Sequence, residues 1–267
     1  MISLLLISQT FSIDVQYMTR EERLLFECRA EVRGLEPGEA LGTWMACDEK
    51  AQQRGLESIR PMIRGYALEA QLMRDYADWK TEDPVAWAKV LLGTSAQREE
   101  ILPIDSLRTA WLTLLKDHDE SVKLETVSSV TVRWQATLDE KLEQDELDEQ
   151  VRRYLIDAGW RVPEPDTWDA GESAIIVLAR PTVEHTAWAG DETLKITRVG
   201  IATEELRYKA LGTKGEPFGV KGEESDNNRD KARRSAFQKV GQAFADALLM
   251  DVVHQLYSNY EVPSPPS

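Results

Sequence analysis

The sequence contains little cysteine and little histidine. Its 267 residues include two cysteines, Cys28 and Cys47, and three histidines that are far apart in the chain. A structural zinc site needs four Cys or His ligands at short spacing, and these residues do not form that pattern. We therefore predict no metal site, and no sequence feature indicates a cofactor. For the cysteines two alternatives stay open: a Cys28–Cys47 disulfide if the protein is exported, or two separate buried thiols.

The sequence also lacks a long hydrophobic run. No stretch approaches the 18 or so apolar residues of a membrane-spanning helix, so we predict no transmembrane segment. A short apolar run occupies residues 2–7, but no Lys or Arg precedes it. Such a run is either the core of an export leader or the start of a buried strand. The first alternative predicts a periplasmic or secreted protein, and the second predicts a cytoplasmic one.

Acidic residues outnumber basic ones over the whole chain, 47 against 32. The formal net charge is −15, which disfavours binding to nucleic acid or to an anionic membrane. Residues 195–239 are the exception, with eleven basic residues against seven acidic ones. We name this segment the basic island.

No catalytic motif is present. The sequence has no G-x-S-x-G elbow, no H-E-x-x-H and no P-loop spacing among the glycines of residues 212–222. The carboxylates of residues 139–150 have the pattern of a solvated helix face rather than of a paired acid and base. This favours a non-enzymatic protein that binds a protein partner or forms a homo-oligomer.

Hydrophobic periodicity predicts an α+β fold. Alternating apolar residues at 11–17 and at 26–32 predict an N-terminal β-hairpin, and residues 39–116 have helical periodicity. We expect a first domain at 1–115, a polar linker at 116–121, and an α/β module at 120–258. Within the module, residues 193–202 and 206–214 predict a second hairpin that turns at Thr203–Glu205. The Pro- and Ser-rich residues 259–267 predict a disordered tail.

The last helix carries both a core signal and a charge signal. Apolar residues recur every three or four positions from Phe237 to Leu256, which predicts a long helix whose one side faces the core. Asp226 or Asn228 can supply its N-cap oxygen. The candidate anion- or partner-binding residues lie in its first two turns, where cations oppose the helix dipole: Arg229, Lys231, Arg233 and Arg234. The competing interpretation is a solvated face paired with Glu223, Glu224 and Asp226.

The order of elements in residues 147–257 resembles the small α/β modules of bacterial envelope assembly proteins of the flagellar-ring and curli-secretion type. In those modules a strand precedes an alanine-bearing helix that packs across a sheet. The matching helix positions are Ala232, Arg233, Ala236, Val240, Ala243 and Leu248. This resemblance implies a non-catalytic scaffold in the bacterial envelope. The alternative from another class is a single-stranded nucleic-acid binding or annealing protein that uses residues 229–239.

Overall fold

The computed structural model describes residues 18–116, 131–136, 138, 141–163, 174–188, 191–208 and 212–266. The chain divides into two compact units, one formed by residues up to 77 together with 100–103, and one formed by 78–99 and the residues from 104 onward. The mixed helix and sheet content confirms the α+β fold class. The apolar run at 2–7 and nearly all of the linker at 116–121 lie outside the described residues, so the domain boundary predicted there stays a prediction. No helix among the described residues is long and apolar enough to cross a membrane.

The first unit is helical throughout its described part. Its core is formed by apolar side chains of all three α-helices, with Leu24, Cys28, Cys47 and Ile63 fully buried. The elements in chain order are α1 (Arg20–Val32), α2 (Pro37–Gln53), a short 3-10 helix (Glu57–Ile59) and α3 (Arg60–Asp75).

The strand predicted at 26–32 is wrong, because these residues belong to α1. The Thr19 side chain accepts a hydrogen bond from the backbone N–H of Glu22, and the Glu22 carboxylate accepts one from the N–H of Thr19. This capping box starts a helix and places Leu24 and Cys28, four residues apart, on one buried face. The alternation that suggests a strand includes Phe26, which is 42% exposed on the helix. The other predicted strand, at 11–17, lies outside the described residues.

The second unit combines helices with a five-stranded sheet. Helix α4 (Ala77–Glu82) begins at the boundary between the units. The remaining elements are α5 (Pro84–Gln97), α6 (Ile104–Lys116), β1 (Thr131–Ala136), α7 (Lys141–Asp157), β2 (Ala174–Trp188), β3 (Asp191–Tyr208), β4 (Thr213–Lys214), β5 (Gly219–Asp226) and α8 (Arg229–Tyr257).

The sheet joins one parallel pair to an antiparallel region. β1 pairs in parallel with β2, and α7 makes the crossover that a parallel connection requires. β2 and β3 form a long antiparallel hairpin. β5 pairs with the central residues 195–202 of β3, and β4 pairs with Arg207 and Tyr208 at its C-terminal end.

The hairpin turn predicted at Thr203–Glu205 is wrong, because β3 runs continuously through these residues. Leu178 of β2 faces Glu205 and Ala179 faces Thr203, so Glu204 is an extra residue in the pairing. An extra residue in one strand is a β-bulge, which bends the strand without ending it. The acidic Thr-Glu-Glu segment therefore marks an irregularity within a strand.

The long C-terminal helix is confirmed and packs across the sheet. Its fully buried side chains include Phe237, Val240, Phe244 and Leu248. β5 approaches it closely at Gly222, where an added Cβ would lie 2.8 Å from the carbonyl oxygen of Ala236. After α8 the chain runs along α5: the Gln97 side chain donates a hydrogen bond to the carbonyl of Tyr260.

Candidate functional site

The basic start of α8 begins with a defined cap. The Asn228 side chain accepts hydrogen bonds from the backbone N–H groups of Asp230 and Lys231, at 2.9 and 3.2 Å. The Asp226 carboxylate in turn accepts from the N–H of Asn228. Of the two predicted caps, Asn228 is the one used. Its side-chain oxygen occupies two of the N–H groups that could otherwise bind an anion.

A single glutamate of α7 pairs with two of the candidate arginines. Arg233 Nε lies 2.8 Å from Glu146 Oε2, and Arg234 Nε lies 3.3 Å from Glu146 Oε1. The Arg233 and Glu146 side chains are only 13% and 17% exposed, whereas that of Arg234 is 71% exposed. Arg233 is therefore a packing and pairing residue between α7 and α8, while Arg234 keeps a solvated guanidinium group.

Arg229 and Lys231 are exposed at the same end of α8. Neither forms an ion pair within the part of the chain that the structure describes. Elsewhere in the basic island, Lys239 forms an ion pair with Glu224, and Arg198 forms one with Glu223 at 2.5 Å. Part of the positive charge that the sequence concentrates here is thus neutralised locally, and Glu223 and Glu224 are among the glutamates predicted for that role.

The first unit contains a disulfide between its first two helices. Cys28 of α1 is bonded to Cys47 of α2, with 6.2 Å between the two Cα atoms. This separation is ordinary for a disulfide. Both residues are fully buried in the core of the unit. The bond fixes α1 against α2.

An open cleft lies beside this disulfide-bonded pair of helices. Its volume is about 410 Å³, and it is lined by Arg20 and Arg23 of α1, by Arg54 at the end of α2, and by Leu56. We name it the arginine cleft. The carboxylate of Glu27 lies 3.8 Å from Arg54. This site is not apparent in the sequence, because Arg54 is some thirty residues from the α1 arginines and the alternation at residues 26–32 favours a strand there.

A buried polar chain connects α7 to the sheet. His185 Nε2 lies 2.6 Å from Glu143 Oε1, and His185 Nδ1 lies 3.0 Å from Thr197 Oγ1. Thr197 is fully buried and Glu143 nearly so. A hydroxyl, an imidazole and a carboxylate in series resemble a catalytic triad in composition, but the hydroxyl has no access to a substrate. The chain satisfies a buried carboxylate.

A second buried polar pair joins β3 to α8. The Tyr208 hydroxyl donates a hydrogen bond to the Asp251 carboxylate. Burial, together with this hydrogen bond, raises the pKa of Tyr208 above its ordinary value. Burial also raises the pKa of Asp251, although the tyrosine hydrogen bond opposes that shift. The pair cross-links the sheet and the helix in the described core.

Two solved structures are similar to about half of the chain. One is a minor lipoprotein from Acinetobacter baumannii, with 14% identity and a TM-score of 0.33, matched over 48% of this chain and 94% of its own. The other is a candidate lipoprotein from Caulobacter crescentus CB15, with 11% identity and a TM-score of 0.34, matched over 51% of this chain and 96% of its own. Both are bacterial, and neither is named as a flagellar-ring or curli-secretion protein. At TM-scores this low the likeness carries no argument about the function of this chain. No protein-family model and no curated protein matches the sequence.

Proposed function

We propose that the protein works in an oxidising compartment outside the cytoplasm, as a non-catalytic binding or scaffold protein of a bacterial envelope assembly. The observation that carries the proposal is the Cys28–Cys47 disulfide between α1 and α2. Disulfides persist in the periplasm and outside the cell, and they are rare in the cytosol, where thiols are kept reduced. The bond therefore favours the exported alternative for this chain.

The packing of α8 also supports the scaffold part of the proposal. Small residues on its buried face, such as Ala232 and Ala236, allow the helix to lie close to the sheet. Gly222 of β5 shortens the approach further. A strand followed by an alanine-bearing helix across a sheet is the arrangement that the resemblance to envelope modules implies.

The nucleic-acid alternative is less favoured by the charges at α8. Annealing through residues 229–239 needs several guanidinium and ammonium groups that face solvent together. Arg233 is instead largely buried against Glu146, and Lys239 is paired with Glu224. Arg229, Lys231 and the outer part of Arg234 remain exposed, on a molecule with a net charge of −15.

Localisation of the native protein in its own host tests the proposal. Cells are separated into cytoplasmic and extracytoplasmic fractions, and protease is added to cells whose outer layer alone has been opened. We expect the protein in the extracytoplasmic fraction and within reach of the protease, while a cytoplasmic marker protein stays intact. Recovery of the protein with the cytoplasmic marker, protected from protease, would refute the proposed compartment.

A further inference from the structure

We propose that α5 carries a binding site for an extended peptide, which residues 258–266 of the same chain occupy as an internal ligand. We name these residues the strap, and we name the surface of α5 at Gly93 and Gln97 the α5 site. The strap defines the peptide class: a tyrosine, any residue, then a β-branched aliphatic residue followed by proline. A partner segment of that class displaces the strap. The inference goes beyond the proposed function and does not depend on the proposed compartment.

Helix α5 offers a rigid surface for this site. Trp87, Ala88 and every residue from Val90 to Ala96 are buried, and α6 and α8 both pack against the helix. The helix begins at a defined cap, because the Asp83 side chain accepts a hydrogen bond from the N–H of Ala86 at 2.9 Å. A site on a rigid helix loses little conformational entropy when it binds a ligand.

Gly93 gives the α5 site its shape. Glycine is less favourable than alanine inside a helix, and it allows another group to approach the helix backbone closely. A Cβ at Gly93 would lie 3.1 Å from Cε1 of Tyr260 and 3.3 Å from Cγ2 of Val262. These two strap side chains therefore use space that the side chain of any other residue at position 93 would fill. The site accepts a ring and a branched side chain two residues apart.

Further contacts fix the position of Tyr260. The Gln97 side chain donates a hydrogen bond to the carbonyl of Tyr260. The Tyr260 ring meets the ring of Tyr257 edge-on, with 5.7 Å between the ring centroids. The first contact uses a main-chain group and the second an aromatic ring, so a partner peptide that contains tyrosine makes the same contacts.

The strap is bound in a way that allows it to leave. Residues 258–266 belong to no helix or strand. The two anchors, Tyr260 and Val262, are only partly buried, and residues 263–266 are exposed. Segments with little buried apolar surface open locally at a lower free energy than the whole fold. The strap therefore dissociates from α5 while the second unit stays folded.

Attachment to α8 gives the strap an advantage over any peptide in solution. A ligand joined by a short connection competes at a high effective concentration, in the millimolar range. A partner peptide therefore binds the wild type weakly, and it binds more tightly once the strap anchors are removed. This difference separates an exchangeable ligand from a permanent part of the core.

Binding of a labelled peptide tests the proposal. The probe is a fluorescent synthetic peptide with the sequence of residues 258–266, and anisotropy follows its binding to the full chain. Tyr260→Ala with Val262→Ala removes both anchors from the receptor. We expect saturable one-to-one binding to this double variant and at least about tenfold weaker binding to the wild type. An unlabelled peptide with the same two substitutions should not compete. Absence of saturable binding to the double variant would overturn the proposal.

Two glycine substitutions, each added to the double variant, locate the bound peptide. Gly93→Ala fills the α5 site and should weaken binding by about tenfold or more. The receptor should still fold, because the two side chains that the new Cβ would meet are already absent. Gly42→Ala is the matched control inside α2, where no atom lies within 4 Å of the added Cβ, and it should leave affinity unchanged. Equal affinities of the two glycine variants would contradict the site.

A smaller change makes the test independent of the folding of the double variant. Tyr260→Ala alone removes one partly buried anchor. Its affinity for the probe should lie between those of the wild type and the double variant. An affinity equal to that of the wild type would show that the Tyr260 ring does not compete for the α5 site.

Discussion

Glu146 of α7 pairs with two of the basic side chains at the start of α8. The sequence places it in an acidic run typical of a solvated helix face, yet its side chain is only 17% exposed, and its two oxygens contact Arg233 and Arg234. A partly buried carboxylate that holds a largely buried guanidinium group contributes to folding. Its loss leaves a positive charge without its partner in a poorly hydrated place.

We therefore predict a clear difference between two substitutions at this cluster. Glu146→Ala should lower the free energy of unfolding by about 1–3 kcal/mol, because Arg233 stays buried and loses its carboxylate. Arg234→Ala, the matched control, removes a mostly exposed partner and should cost less than about 0.5 kcal/mol. Urea unfolding followed by circular dichroism measures both. Equal losses would show that the pairing does not stabilise the junction of α7 and α8.

The pairing of Asp48, in the first unit, predicts that the free energy of unfolding depends on pH. Arg60 donates to its carboxylate at 2.9 Å and Arg64 at 3.3 Å, and these hydrogen bonds, Arg60's first, hold the pKa of Asp48 below its ordinary value of 3.8 despite partial burial. At pH values between the pKa of Asp48 in the folded protein and 3.8, the unfolded chain binds more protons than the folded protein does. The stability contributed by Asp48 is therefore complete above about pH 4 and is lost as the pH falls through the folded pKa.

Asp48→Asn should accordingly destabilise the protein at pH 7 and do so less and less as the pH falls below about 4. Denaturant unfolding of the variant and the wild type at several pH values measures this. Asp105→Asn supplies a control, since the Asp105 side chain is 87% exposed beside Arg108. A difference between wild type and Asp48→Asn that stays constant down to pH 2 would contradict the assigned pairing.

At the scale of elements, α8 was predictable and α1 was not. The long helix repeats its apolar residues over seven turns, so no other structure buries them together. Residues 26–32 are few, and four alternating apolar positions fit a strand until the Thr19 cap is recognised. The bulge at Glu204 was missed because Thr-Glu-Glu has the composition of a turn. The arginine cleft depends on the spatial proximity of α1 and the end of α2, which local periodicity does not contain.

The close approach of β5 to α8 at Gly222 predicts that a larger residue there destabilises the fold. At Gly222 a Cβ would meet the carbonyl oxygen of Ala236 at 2.8 Å and the backbone nitrogen of Val240 at 3.1 Å. Gly222→Ala should therefore push the strand away from the helix and cost about 1–3 kcal/mol. On the same strand, Gly219→Ala meets its nearest atom at 3.6 Å and should cost much less. Thermal unfolding distinguishes the two, and similar melting temperatures would contradict the close packing.

The disulfide is the cross-link between α1 and α2, and its removal should be costly. It joins residues 19 apart in sequence, and closing a loop of that length corresponds to about 3 kcal/mol of stability. Cys28→Ala with Cys47→Ala should lower the free energy of unfolding by about that amount. Adding a reductant should destabilise the wild type and leave the double variant unchanged. A wild type that is insensitive to reductant would contradict a stabilising bond.

At the scale of the whole molecule, the net charge of −15 sets the background for every interaction with an anion. A long polyanion extends beyond any one basic segment and is therefore repelled by the acidic surface around it.

The net charge of −15 predicts no measurable binding of single-stranded DNA at physiological salt. Fluorescence anisotropy with a labelled oligonucleotide of about 20 nucleotides tests it, over a range of salt concentrations. If binding appears at low salt, Arg229→Gln with Lys231→Gln should have little effect on it. Tight, salt-sensitive binding that this double variant abolishes would instead support the annealing alternative.

The central claim is that the protein exists in its native setting as a disulfide-bonded molecule outside the cytoplasm. The most direct measurement is the intact mass of the native protein, alkylated in the absence of reductant immediately after cell fractions are separated. We predict that neither Cys28 nor Cys47 is labelled in the extracytoplasmic fraction and that both are labelled after reduction. A native protein that carries two labels without reduction, recovered from the cytosol, would contradict the claim.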